Sequence, residues 1–275
     1  MGARWAAVIA AISLLIAVLA ALANVALWFD RQMLDSEAFT EGVTEALRTA
    51  ETRDAVAEVA VGKAIDVIPL VGFFEDQLRD LVVVVLDSPA LEGTNKAVAG
   101  SIHRVLVTGE QSAITLSLIA VKDALLGPIG EAAPTLVDQI PDDFFDAVEI
   151  IEAGALPSLA FWADVGPWVG AFSAALAVFL AAVLLILSPY RAWSLVAVGL
   201  ACFLAVLMSF AAIPIGRSMA AGMVSGELAT VITTSSYDVF ARSLVTQTRI
   251  LVILGVVLTA AGSIWVGFNV ATSET

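Results

Sequence analysis

The sequence predicts an all-α membrane protein, with four transmembrane helices and a mostly helical, acidic domain outside the bilayer. Three observations lead to this class. The chain of 275 residues is 60% hydrophobic and 15% charged, with a mean hydropathy of +0.95, whereas a soluble domain has about a quarter of its residues charged. Apolar stretches long enough to cross a bilayer occur at four places. Most charged residues lie between the first and second of these stretches.

The first apolar stretch fills residues 1–29 and is predicted to be transmembrane helix 1, retained as a signal anchor. No charge occurs between Arg4 and Asp30, and an apolar run of about 25 residues exceeds the core of a typical signal peptide. Ala21-Leu22-Ala23 nevertheless imitates a cleavage site, so a cleaved signal peptide remains the alternative. The other three spans are predicted within region 165–275, at 169–187, 193–213 and 250–270.

The segment 217–249, between the third and fourth spans, also shows helical spacing where it approaches the fourth span. We therefore expect the third and fourth helices to project beyond the bilayer and to pack against the acidic domain. Pro214 is expected to end or kink the third span.

Charge placement orients the chain in the membrane. Residues 30–164 hold 24 acidic and 8 basic residues, a net charge of −16, while the rest of the chain holds 3 and 5, or +2. Arg4 and Arg191 both become cytoplasmic if the amino terminus is inside, as the positive-inside rule favours. We predict a multi-pass protein of the plasma membrane with domain 30–164 and loop 217–249 extracytoplasmic. The three arginines of that loop argue for the opposite orientation.

The acidic domain, 30–164, is predicted to consist of consecutive helices. Asp35-Ser36 offers a cap for the first helix. The second is expected from near Thr52 to Ile68, and Ser88-Pro89 predicts the start of another that ends before Gly109.

Three segments of this domain have ambiguous patterns. Residues 81–86 suit a buried strand or a buried helix, and the helical spacing of the apolar residues before them favours the helix. Residues 113–118 alternate like a half-buried strand, with 147–151 as the expected partner in a two-stranded element. The apolar stretch 59–74 is a further hypothesis, because it could lie against the membrane.

His103 is the only histidine and is the one weak candidate for a polar site. It could be pH-sensitive or touch a metal, but we favour a packed histidine bonded to a backbone or carboxylate group. An acidic group could hold a hard cation, although its spacing lacks the loop that calcium requires and a solvated face is favoured. Its members are Asp138, Asp142, Asp143, Asp146, Glu149 and Glu152.

Other chemistry is not indicated by the sequence. A lone cysteine, Cys202, lies in a predicted span and is expected to pack there. Neither a nucleophile elbow nor a phosphate-binding glycine loop nor a zinc-protease motif occurs, and no ionisable residue lies in the middle of a span, where transporters usually carry one. We therefore predict no enzyme, no cofactor and no metal, and the acidic charge argues against nucleic acid as a partner.

Two short motifs resemble a family of actinobacterial-type integral membrane proteins that has no established activity. The stretch from Leu34 to Phe39, Leu-Asp-Ser-Glu-Ala-Phe, resembles a helix start that follows the first span in that family. Leu86-Asp87-Ser88-Pro89-Ala90-Leu91 resembles a second one, with Leu91 in place of an aromatic residue. His103 falls where the family's helix commonly holds a histidine, and 113–118 resembles the strand after it. The resemblance implies four spans with an extracytoplasmic helical domain and adds no chemistry.

The leading functional hypothesis is a non-enzymatic envelope protein whose extracytoplasmic domain binds a partner protein or an envelope component. Its expected partners are the lipid bilayer and either another protein or further copies of itself. The alternative is a transporter or channel component that acts as an oligomer. A third hypothesis, an enzyme at the membrane surface, would need a site made of scattered carboxylates or His103.

Overall fold

A computed structural model of the chain describes residues 2–67, 69–86, 88, 91–110, 112–116, 148–151, 153–154, 156 and 158–273. These residues are almost entirely helical, which confirms the predicted all-α membrane class. The elements in chain order are α1 (Ala3–Phe29), a π-helical turn (Asp30–Leu34), α2 (Ser36–Leu47), α3 (Ala50–Val67), a 3-10 turn (Pro69–Phe74), α4 (Glu75–Leu86), α5 (Glu92–Thr108), β1 (Ile114–Leu116), β2 (Val148–Ile151), α6 (Ala160–Leu187), α7 (Arg191–Met223) and α8 (Glu227–Ser273).

The chain forms two compact units. The bundle unit comprises Met1–Arg31, Trp162–Gly216 and Ala241–Thr275. The acidic unit comprises Gln32–Phe161 and Arg217–Phe240. The predicted helical segment 217–249 is helical except at residues 224–226; its residues 217–240 belong to the acidic unit, and residues 241–249 belong to the bundle unit.

Four helices are long and apolar enough to cross a membrane, namely α1, α6, α7 and α8. Many of their large apolar side chains are exposed, as expected for helices solvated by lipid. Helix α7 does not end at Pro214, which lies inside the helix. The prediction that Pro214 ends the third span is therefore wrong. The helix continues because a proline removes only one backbone donor and a membrane helix tolerates that loss.

The bundle is held together by small residues that let the helices approach closely. A Cβ placed on Gly199 in α7 would lie 2.7 Å from the backbone nitrogen of Thr259 in α8 and 3.0 Å from the carbonyl oxygen of Gly255. In the same way, Gly170 in α6 faces the side chain of Leu27 in α1, at 3.1 Å from its Cγ. Because lipid gives no hydrophobic drive for helix association, such close packing is a main source of stability.

The six tryptophans mark the two ends of the bundle. Adjacent spans run in opposite directions, since Leu27 and Phe29 of α1 face Gly170 and Gly166 of α6. Trp5 and Trp28 of α1 are separated by about 35 Å of helix at 1.5 Å per residue, close to a hydrocarbon core with its interfaces. Three tryptophans lie toward one end of the bundle, namely Trp5, Trp193 and Trp265. The other three lie toward the opposite end, namely Trp28, Trp162 and Trp168. Tryptophan prefers this depth because its ring is apolar and its N–H is polar.

The acidic unit begins with the capped helix that the sequence predicted. The Asp35 carboxylate accepts hydrogen bonds from the backbone N–H groups of Glu37 and Ala38, at 3.1 and 2.8 Å, which satisfies two free donors of α2. Phe39 and Val43, one turn apart, are buried on the inner face of this helix.

Two further local predictions have definite outcomes. Residues 81–86 are helical, as favoured, and α5 ends before Gly109, whose left-handed φ of 74° closes the helix. The predicted helix start at Ser88-Pro89 lies partly outside the described residues, because Pro89 is not among them. The N–H of Leu91 donates to the Ser88 carbonyl oxygen at 3.1 Å, and α5 is described from Glu92.

The predicted two-stranded element is confirmed. Strands β1 and β2 pair antiparallel, with Thr115 opposite Glu149 and Leu116 opposite Val148, and the register is irregular between Ile114 and Thr115. Ile114 is almost fully buried. A lone pair of strands is marginally stable by itself, and this pair is supported by α5 and α3, which pack against it.

Candidate functional site

A buried polar cluster joins three helices of the bundle unit. The Asn24 side chain in α1 donates through Nδ2 to the Ser209 hydroxyl of α7 at 3.1 Å and to the Thr248 hydroxyl of α8 at 3.0 Å. Gln247 in α8 donates through Nε2 to the Asn24 backbone carbonyl at 2.9 Å and to its side-chain oxygen at 3.1 Å. Asn24 is 7% exposed, and Ser209 and Thr248 are each 1% exposed. We call these four residues the Asn24 cluster.

The two hydroxyl groups of the Asn24 cluster each make a second hydrogen bond. The Ser209 hydroxyl donates to the Ala205 carbonyl at 2.9 Å, and the Thr248 hydroxyl donates to the Leu244 carbonyl at 2.7 Å. One helical turn beyond Asn24, Trp28 donates through Nε1 to the Ser243 hydroxyl at 2.9 Å. The cluster is therefore a satisfied interhelical network.

The chemistry available to the Asn24 cluster is limited by its side chains. Amides and alcohols form hydrogen bonds with polar groups, but they do not gain or lose a proton near neutral pH. Asn24 precedes Asp30 by six residues, or about 9 Å of helix, so the cluster lies near one end of the apolar span. Its geometry suits a fixed contact that sets the register of α1, α7 and α8.

His103, the weak candidate polar site, lies in α5. Its Nε2 donates to the Leu34 carbonyl oxygen at 3.2 Å, and its ring centroid lies 5.1 Å from that of Phe39. This is the packed, backbone-bonded arrangement that the sequence analysis favoured. The alternative of a pH-sensitive or metal-touching His103 stays a hypothesis.

The surface of the acidic unit carries carboxylates in rows along its helices. Glu37 and Glu41 are exposed at spacing i, i+4 on α2, and Asp76 and Asp80 are exposed at the same spacing on α4. Like charges at this spacing destabilise a helix by about 0.2–0.5 kcal/mol per pair. Within the described part of the chain, these four carboxylates form no ion pair.

Three basic residues of the acidic unit form ion pairs within it. Glu92 in α5 contacts Lys96 at 2.9 Å and Arg48 at 3.6 Å. The hydrogen bond and charge of Lys96, together with the charge of Arg48, hold the pKa of the Glu92 carboxyl below its ordinary value. Arg79 and Glu58 form another ion pair within the unit. The net negative charge of the surface is therefore left without internal compensation.

The remaining predicted groups contribute no site in the described residues. Asp138, Asp142, Asp143, Asp146 and Glu152 lie outside these residues. Within the described ranges, no group of three or more His, Cys, Asp and Glu side chains could hold a metal ion. Cys202 is buried in α7 and packs against Gly255, as its position in a span suggested.

The Asn24 cluster was not predicted from the sequence. The signal for it was present, since an asparagine inside an apolar span must find a hydrogen-bond partner when lipid surrounds it. Asn24 and Gln247 are uncharged, however, so the pattern of ionisable residues at membrane depth gave no indication of them.

Comparison of the chain with protein-family models, with curated proteins and with solved structures finds no match. The resemblance to a family through Leu34–Phe39 and Leu86–Leu91 accordingly stays a prediction. The class that the fold defines is a multi-pass membrane protein with an acidic helical unit outside its spans.

Proposed function

We propose that this chain is a non-enzymatic protein of the cell envelope whose acidic unit binds a basic partner. The acidic unit lies on the extracytoplasmic side of the plasma membrane, and the partner is a protein or another envelope component with positive charge. The observation that carries this proposal is the set of exposed carboxylate rows that form no ion pair in the described part of the acidic unit. A row of like charges has a cost in helix stability, and a cationic partner would remove it.

The two rows offer a defined contact surface. Glu37 and Glu41 project from one helix face of α2, about 6 Å apart along the axis. Basic side chains on a partner could pair with both, which would favour rapid encounter as well as orientation. Three basic residues of the acidic unit, namely Arg48, Lys96 and Arg79, are already in internal ion pairs.

The orientation rests on the basic residues near the span ends. Arg4 and Arg191 are exposed at the same end of the bundle unit, and the positive-inside rule favours the cytoplasm for such residues. The extracytoplasmic placement and the plasma membrane follow from this rule and are part of the proposal.

The experiment that tests the proposal is cross-linking in the native membrane. A photoreactive residue at Thr40, between the two row carboxylates in sequence, is activated in intact cells, and the captured partner is quantified by mass spectrometry. The double variant Glu37→Gln/Glu41→Gln is compared with Glu58→Gln/Glu92→Gln, which removes the same two charges from carboxylates that are already paired.

We expect a reproducible partner whose yield falls roughly fivefold in the row variant, since two exposed ion pairs are together worth about 1 kcal/mol. The paired-carboxylate variant should keep most of the yield. The proposal is refuted if no protein is captured in constant ratio to the chain, or if both variants lose the same amount.

A second candidate function, a transporter or channel component, is favoured by the outward faces of the spans. Helix α8 is mostly exposed along its apolar part, with Val257 and Ile253 more than half exposed. This face could contact further copies around a shared pathway. Flux through proteoliposomes that contain the purified chain would support it, if Val257→Asp abolishes the flux and leaves the fold intact. Absence of flux for ions and small polar solutes would rule against it.

A further inference from the structure

One exposed row of side chains on α4 combines apolar and acidic groups. Asp76, Asp80 and Val84 follow one another at spacing i, i+4 along α4, which places them on one face of the helix. Phe73 belongs to the 3-10 turn directly before α4, and the three residues per turn of that geometry place it in line with Asp76. We call Phe73, Asp76, Asp80 and Val84 the α4 stripe.

All four side chains of the α4 stripe are exposed. Phe73 is 83% exposed and Val84 is 68% exposed, and both carboxylates are exposed as well. The opposite face of α4 is already covered, because Val85 is buried and α4 packs against α3. Phe74, next to Phe73, is 44% exposed. Exposed apolar groups that are bordered by polar residues mark surfaces that bind a partner.

The two carboxylates of the α4 stripe carry charge that the unit does not compensate locally. Asp76 and Asp80 form no ion pair within the described part of the chain. Arg79, between them in sequence, pairs with Glu58 of α3 instead. The two carboxylates lie about 6 Å apart along the helix axis and repel each other. A surface with two cations at a similar spacing would therefore be attracted to this face of α4.

This combination of groups selects a protein as the occupant. Lipid acyl chains would accept Phe73 but would remove water from the two carboxylates, which is unfavourable without a counter-charge. A second copy in twofold contact would place the same carboxylates against these, and like charges across an interface disfavour binding. A cationic polymer without apolar groups would leave Phe73 and Val84 in water. A protein surface can supply both cations and apolar pockets.

We propose that the α4 stripe is the docking site of the basic partner, and that this partner is a protein with two apolar contacts separated by Lys or Arg side chains. Phe73 and Val84 are the apolar anchors, about 17 Å apart at 1.5 Å per residue, and Asp76 and Asp80 pair with the cations. A few such anchors carry most of the energy of an interface, and the charges set its orientation. This inference rests on the proposed function, because Asp76 and Asp80 form one of its two carboxylate rows.

A photoreactive residue at Gln77 tests the proposal with the full-length chain in intact cells. Gln77 is exposed beside the stripe, so the probe reaches whatever covers Phe73 and Asp80. Adducts are identified and quantified by mass spectrometry, and the cross-linked peptide of the partner is sequenced.

Two variants each remove one kind of contact from the stripe. Phe73→Ala/Val84→Ala removes the apolar anchors, and Asp76→Asn/Asp80→Asn removes the charges. Their side chains are exposed, so neither variant disturbs the packing of the unit. The matched control for the apolar variant is Met219→Ala/Met223→Ala, which removes two other exposed apolar side chains of the acidic unit. Glu58→Gln/Glu92→Gln is the control for the charges.

We expect one protein in constant ratio to the chain, cross-linked through a peptide that carries Lys or Arg beside apolar residues. Its yield should fall about tenfold in the apolar variant, because truncation of anchor residues has the largest effect on an interface. It should fall about fivefold in the charge variant, since two exposed ion pairs are lost. Both controls should keep most of the yield.

Several results would overturn the proposal. They are an adduct with phospholipid, an adduct with a second copy of the chain, an acidic cross-linked peptide, and a yield that is unchanged in one or both stripe variants. The probe at Thr40 separates this inference from the proposed function. Capture of a basic partner at Thr40 but not at Gln77 overturns the α4 docking site alone, whereas no partner at either position overturns both.

Discussion

Replacement of Asn24 by leucine is the sharpest test of the bundle. Leucine has the same number of side-chain heavy atoms and the same branching at Cγ as asparagine, and it suits an apolar span, so the change removes hydrogen bonds without leaving a void. Three side-chain bonds are lost, two donated by Asn24 Nδ2 to Ser209 and Thr248 and one accepted from Gln247. The Gln247 amide keeps its bond to the backbone carbonyl of residue 24.

The size of the effect follows from what the partners do afterwards. Ser209 and Thr248 retain bonds to carbonyl oxygens of their own helices, so the substitution leaves no buried hydroxyl without a partner. The loss is then limited to three interhelical bonds, each worth about 0.6 kcal/mol in a membrane protein. We expect the free energy of unfolding to fall by about 2 kcal/mol, roughly a twentyfold change in the unfolding equilibrium.

The assay is reversible unfolding by dodecyl sulfate in mixed micelles, followed by far-UV circular dichroism. Ser13→Ala is the matched control, because Ser13 is another buried polar residue of α1 whose hydroxyl has no partner in the described structure. That variant should be neutral or slightly stabilising. Equal stability of Asn24→Leu and the wild type would refute the reasoning, as would a Ser13→Ala variant that is destabilised to the same degree.

Further predictions concern glycines and one ion pair. Gly199→Ala should destabilise the bundle by about 1–3 kcal/mol, since its Cβ meets backbone atoms of α8. Gly267→Ala should be neutral in the same unfolding assay, because there is open space around Gly267. Gly42→Ala should lower the melting temperature because its Cβ overlaps the ring of a phenylalanine in α8, while Gly62→Ala should raise stability by about 0.5–1 kcal/mol through helix propensity. Glu92→Gln should be less stable than the wild type at pH 7, and the difference should vanish as the pH falls through the lowered carboxyl pKa; a difference that persists at pH 2 would contradict this.

The elements that sequence reasoning predicted correctly were those with a strong local signal. Asp35 caps α2 because a carboxylate before an amphipathic run satisfies free backbone donors, and Gly109 closes α5 because glycine tolerates a positive φ. The pairing of 114–116 with 148–151 was predictable from alternation, since each segment is apolar on one side.

The elements that it missed depend on distant contacts. Pro214 carries a local signal for a helix end, but α7 continues through it because a membrane helix tolerates the loss of a single donor. Asn24 looks unremarkable in an apolar run, and only the fold places Ser209 and Thr248 beside it, 185 and 224 residues away.

The proposed arrangement, four spans with the acidic unit on the outside of the cell, can be tested by cysteine accessibility. Ser36→Cys, Ser218→Cys and Pro189→Cys place one label each at exposed positions in the Cys202→Ala background. A membrane-impermeant maleimide should label Ser36→Cys and Ser218→Cys in intact cells, and Pro189→Cys only after the membrane is permeabilised. Labelling of Pro189→Cys alone in intact cells would place the acidic unit in the cytoplasm, and labelling that separates Ser36→Cys from Ser218→Cys would contradict the four-span arrangement itself.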